Sequence, residues 1–219
     1  MTSLFILCAL LAYFSPWVVN PASGLTFHGL DLAEWTSLHP LVRTESPALL
    51  TPLVLRLPLL CMGLVLGLRA PGAHPRLRMA HRIGALLIAF GLLPPLDFIT
   101  QLDNLNYRQQ FALAAIGMMG AGISLLSVRG SKAARHWRLR GAGLACGLAV
   151  VAGVTGVVRS YGLMQEFDLA AQFGIGALAF PVLCGLLAGS LVRNHWPDTA
   201  AEPKQGSTPN GTTLPPQLQ

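Results

Sequence analysis

Six long apolar stretches, separated by short polar ones, set the pattern of this chain. They cover residues 3–19, 49–68, 83–100, 111–128, 141–158 and 171–192. Each approaches the roughly 20 residues a helix needs to cross about 30 Å of hydrocarbon. The apolar positions run continuously and do not alternate, which points to helices and away from the strands of a membrane barrel. In lipid every backbone polar group needs a partner inside the protein, and a helix supplies one internally. The pattern predicts an all-α integral membrane protein, with a six-helix transmembrane bundle in residues 1–194 and a disordered tail in residues 195–219. The first stretch is short and contains Pro16, so a cleaved signal peptide competes with a retained helix. It has no basic start, and "VNPASG" makes a poor cleavage site, which favours the helix.

The longest connection predicted on the outer side, residues 20–48, contains "GLDLAEWTSLHPLV". This reads as a short helix with Asp31 as N-cap and Glu34 three residues on in a capping box. Leu32, Trp35 and Leu38 fall on a common face, and Pro40 stops the helix. One greasy face with a Trp suits an anchor lying in the membrane interface. A lid over the bundle is the functional alternative.

Composition strengthens the membrane assignment. Residues are 53% hydrophobic and 11% charged, with mean hydropathy +0.55. Soluble domains carry roughly 25% charge. The net charge of +6 would by itself allow a nucleic-acid partner, but its placement argues otherwise. Arg69, Arg76, Arg78 and Arg82 lie in one connection, and Arg129, Lys132, Arg135, Arg138 and Arg140 in another, with no acid among them. The alternate connections mix Arg43, Arg108 and Arg159 with Asp31, Glu34, Glu45, Asp103, Glu166 and Asp168. By the positive-inside rule the basic connections face the cytoplasm, and so do both termini. The expected setting is a cytoplasmic membrane. Its partners are the lipid bilayer, with anionic headgroups at the inner face, and no nucleic acid. The tail is rich in Pro, Gly, Ser and Thr and has too little apolar surface to order itself.

Candidate chemistry is sparse. Cys8, Cys61, Cys146 and Cys184 each sit in an apolar run without a C-x-x-C, and read as reduced packing residues. The six histidines, His28, His39, His74, His81, His136 and His195, fall in connections or at span ends. That placement gives neither an axial haem pair nor a close zinc set, so no cofactor or metal is predicted. No nucleophile–base motif is present, so no catalytic residue is assigned. Small residues four apart, Gly63/Gly67, Gly143/Gly147 and Gly185/Gly189, together with Gly153, suit close helix packing, within the chain or against a partner membrane subunit or second copy.

The best lead is polar residues at depth. Arg56 falls seven residues into the second stretch, about 10 Å down, where a guanidinium needs a partner. In "LLPPLDFITQLD", a helix ending at Leu93 would span only about 16 Å from residue 83. The span is therefore expected to continue past Pro94-Pro95 and to carry Asp97 into the outer leaflet as the counter-charge of Arg56. Arg108, Arg159, Glu166 and Asp168 complete the candidate cluster, either as structural ion pairing or as the rim of an outward-facing cavity. These features predict an accessory or scaffolding subunit of a membrane complex. The alternative is a small permease with a polar site at Arg56 and Asp97, and an intramembrane enzyme comes third.

Overall fold

The computed structural model describes residues 2–21, 24–126 and 132–193. The fold is mostly helical (79%). The helices are α1 Thr2–Tyr13, α2 Gly29–Leu38, α3 Pro40–Arg43, α4 Leu50–Arg69, α5 Pro75–Gly91, α6 Leu105–Leu126, α7 Lys132–Gln165 and α8 Ile175–Arg193. Three segments are long and apolar enough to cross a membrane: Leu50–Gly72, Ala133–Gln165 and Ile175–Arg193. Helix α1 is apolar but shorter. The expected tail, 195–219, lies outside the described residues.

Helix α4 is the axis of the bundle. It packs against α7 on one side and against α5 and α6 on the other, while α2 crosses its first turns. Helix α8 packs between α7 and α1. The consecutive residues Leu59, Leu60, Cys61 and Met62 of α4 are all buried, so this helix is covered on every side and its apolar residues are not confined to one stripe. The Tyr13 hydroxyl donates to the Leu55 carbonyl (3.0 Å) and ties α1 to α4. Tyr13, Trp17 and Phe180 meet with ring centroids 5.5–5.9 Å apart and join α1 to α8.

A small sheet, not foreseen from the sequence, closes one end of the bundle. Its strands are β1 Val18–Asn20, β2 Leu25–Phe27 and β3 Gln172–Phe173, in the order β2-β1-β3, both pairs antiparallel. It ties the chain after α1 to the chain before α8. Gly174 and Gly176 permit that contact, since a Cβ on either would run into Pro16 or into the Ala12 and Ser15 carbonyls. The opposite end holds the end of α4, the start of α5, the start of α7 and the end of α8.

The helix ends correct two expectations. The third apolar stretch is not one helix through the prolines. Helix α5 stops at Gly91, and Leu96–Thr100 is a separate turn of 3₁₀ helix. The missing length is added at the other end, because Pro75 starts the helix well before residue 83. Residues 75–82 and 132–140, expected as basic connections, are thereby the first turns of α5 and α7. Arg82 is accommodated there by donating to the Ser124 carbonyl (2.8 Å) in the last turn of α6.

The expectation for α2 also changes. His28, not Asp31, is its N-cap: His28 Nδ1 accepts from the Asp31 N–H (3.3 Å), while His28 Nε2 lies 3.0 Å from Asp31 Oδ2. Leu32 and Ala33 are fully buried against the bundle, and Leu38 is exposed. Helix α2 is thus a cap laid across α4.

Candidate functional site: a polar cluster and cleft at the sheet end

Arg56 is the centre of the site. Its position on α4 turns it inward, and its side chain is only 1% exposed. A cation so placed must be neutralised and hydrogen-bonded. Two helices supply the partners. From α2, Glu34 Oε1 lies 2.8 Å from Arg56 Nη2. From α6, Asn106 Oδ1 and Gln109 Oε1 accept from Arg56 Nη1 at 2.8 and 3.3 Å. Gln110 Nε2 donates to the same Glu34 oxygen (2.9 Å). Asn106, Gln109 and Gln110 stand at i, i+3 and i+4, so they share one face of the first turns of α6.

The surrounding backbone is held to match. Leu49 takes a left-handed conformation (φ 58), uncommon for a side chain of its size, and its carbonyl accepts from Gln109 Nε2 (3.2 Å). Asn106 Nδ2 reaches Ser37 Oγ on α2 at 3.4 Å. The cluster therefore clamps α2, α4 and α6 together.

A second polar network lies near the start of α4. Arg159 Nη2 pairs with Glu45 Oε1 (2.7 Å), and Arg159 Nε donates to Thr51 Oγ1 (3.0 Å). Thr51 gives its N–H and hydroxyl to the two Glu45 oxygens (3.0 and 2.6 Å). Burial alone would raise the pKa of Glu45. The hydrogen bonds from Thr51 and Arg159, with the Arg159 charge, outweigh burial and hold it below the usual range.

The residues expected to form one cluster are thus dispersed. Asp97 is exposed in its 3₁₀ turn and accepts from Gln101 Nε2 (3.2 Å), so it is not the counter-charge of Arg56. Arg108, Glu166 and Asp168 are exposed and make no ion pair among the described residues. Arg56 and Arg159 each meet a glutamate, Glu34 and Glu45, that sequence reasoning had not placed at depth. The overlooked signal was the N-x-x-Q-Q spacing of Asn106, Gln109 and Gln110. It was hidden because the helix was expected to begin at residue 111.

Beside the Arg56 cluster opens a cleft of about 570 Å³. Its lining includes Glu34, Ser37 and Asn106 from the cluster, together with Arg43, Asn104 and Tyr107. The volume lies in the range of small-molecule sites, roughly 300–1,000 Å³. Beyond Arg56 along α4, away from the sheet end, Leu59, Leu60 and Met62 are all buried.

The seven packing glycines divide into two groups. A Cβ at Gly63 would meet Ile88 (3.0 Å), at Gly67 the Gly120 carbonyl (3.2 Å), and at Gly153 the Trp17 ring (3.2 Å). These three pack helices within the chain. A Cβ at Gly143, Gly147, Gly185 or Gly189 would meet no other segment within 4 Å, so the spacing on α7 and α8 is not used for close packing within the described residues. Gly156, on the same segment as Gly153 and of the same expected packing character, is tightly packed against Leu55, and Gly176, which was not expected, against Ala12, Ser15 and Trp17.

The cysteines are free, with Cys61, Cys146 and Cys184 buried and Cys184 Sγ 3.9 Å from Met62 Sδ. Among the described residues no three His, Cys, Asp or Glu side chains gather as metal ligands. No protein-family model matches this chain, and no curated protein or solved structure matches it either.

Proposed function

We propose that the protein is a multi-pass membrane component of a larger assembly, an accessory or scaffolding subunit that receives another membrane helix on α7 and α8. In this reading α1, α4, α5, α6, α7 and α8 all cross the bilayer in a cytoplasmic-type membrane. The sheet end faces outward and the basic end faces the cytoplasm. Helix α7 is about 51 Å long, so its first turns project beyond about 30 Å of hydrocarbon. Arg135, Arg138 and Arg140 on those turns suit anionic headgroups.

The observation that carries the proposal is the unused glycine spacing. Apolar surface gives helices little reason to associate in lipid, so close backbone approach over small residues is a main source of affinity. Gly63, Gly67 and Gly153 use that device inside the chain, while Gly143, Gly147, Gly185 and Gly189 leave room for a helix from outside. The test is crosslinking in native membranes followed by purification in mild detergent. Wild type should carry a partner chain or a second copy. The double substitution Gly147→Leu with Gly189→Leu should lose it without a change in melting temperature. A chain that remains alone before and after crosslinking would sink the proposal.

A second reading, the small permease, draws support from the cleft beside Arg56. The buried residues beyond Arg56 along α4 favour a surface binding site over one mouth of a path.

A further inference from the structure

The cleft at the sheet end has a charge arrangement that suits one class of ligand. Glu34 and Arg43 both line it, and their situations differ. The Glu34 side chain is half exposed, and only its Oε1 is engaged, by Arg56 and Gln110. Its charge is therefore matched from behind by a buried cation. Arg43 is exposed and, among the described residues, makes no ion pair. The cleft thus presents a free cation at one point and a carboxylate with an open oxygen at another. Asn104 and Tyr107 add neutral hydrogen-bonding groups.

We propose that this cleft binds a small zwitterion, with its anionic group on Arg43 and its ammonium group at the Glu34 carboxylate. A simple anion would satisfy Arg43 but offer no donor to the open Glu34 oxygen. A simple cation would do the reverse, and a neutral molecule would take water from both charges without replacing it. A ligand bearing both charges matches both. Free amino acids and the phosphoethanolamine part of a lipid headgroup share this chemistry. The assignment rests on reading the cleft as a ligand site.

The full-length protein in neutral maltoside detergent provides the test, with binding followed by calorimetry and thermal shift. The probes are L-serine and O-phosphoethanolamine, against serinamide as cation, N-acetylserine as anion and glycerol as neutral control. The expected result is saturable binding of at least one zwitterion and at least tenfold weaker binding of the three controls. Arg43→Gln should weaken zwitterion binding at least tenfold and leave the ligand-free melting temperature unchanged. Displacement of the probe on reconstitution with phosphatidylethanolamine would identify the lipid headgroup as the source, and indifference to that lipid would identify a free solute. Controls that bind as well as zwitterions, or an Arg43→Gln protein that binds like wild type, would overturn the zwitterion assignment while leaving a binding cleft. Absence of binding by every probe would overturn the cleft reading as well.

Discussion

Glu34 Oε1 and Arg56 Nη2 lie 2.8 Å apart, joining α2 to α4. The two ends of this pair are unequally buried: the Arg56 side chain is 1% exposed and that of Glu34 is 50% exposed. Removal of Glu34 strands a cation with no access to water. Removal of Arg56 leaves a carboxylate that water can reach. Glu34→Ala should therefore destabilise the protein by about 3 kcal/mol, and Arg56→Met by only about 1 kcal/mol. Chemical denaturation in detergent measures both, and the reverse order would refute the burial argument.

Exchange of charge within the pair tests its identity. The double variant Glu34→Arg with Arg56→Glu should recover part of the stability lost by either single change. Arg56→Asp with Asp97→Arg should show no coupling, because Asp97 is exposed and engaged with Gln101. A coupling energy above about 0.5 kcal/mol in the second cycle would contradict the geometry.

Glu45 gives a prediction for pH. Its pKa in the folded protein is held below the ordinary value of 4.5, despite burial, by Thr51 and Arg159. A depressed carboxylate contributes stability that is fully present above its unfolded pKa and is lost as pH falls through its folded pKa. The melting temperature should therefore fall below about pH 4.5, and part of that fall should be absent in Glu45→Gln. An identical acid profile in the variant would remove Glu45 as a contributor.

The glycines should separate by their surroundings. A Cβ at Gly176 would lie 2.7 Å from two backbone carbonyls, and one at Gly156 would lie 2.7 Å from Leu55. Gly176→Ala and Gly156→Ala should each cost roughly 1–3 kcal/mol, with Gly176 the larger because backbone cannot swing aside. Gly147→Ala meets open space and should stay within about 0.5 kcal/mol of wild type. Thermal melts of the three variants make the comparison.

The helical class, with long apolar helices, follows from the sequence alone. Long continuous apolar runs in a chain with 11% charge require helices in an apolar setting, since no other local structure satisfies its own backbone there. Arg56 needed a partner wherever the chain went, because a guanidinium inside an apolar run cannot be left bare once buried. Which carboxylate it met was not legible. Glu34 has a sufficient local explanation as a capping residue, and only the fold of α2 back across α4 takes it out of that role. Asp97 was placed at depth by a length argument that assumed α5 began at residue 83. Pro75 begins the helix earlier, and the length is made up on the basic side. The sheet was hidden for a related reason, since strands of two and three residues are too short to show a period. Local composition thus determined what kind of helices form and which side chain could not stand alone. The tertiary structure decided where those helices begin and which distant groups meet, because both depend on contacts between segments that the chain brings together only on folding.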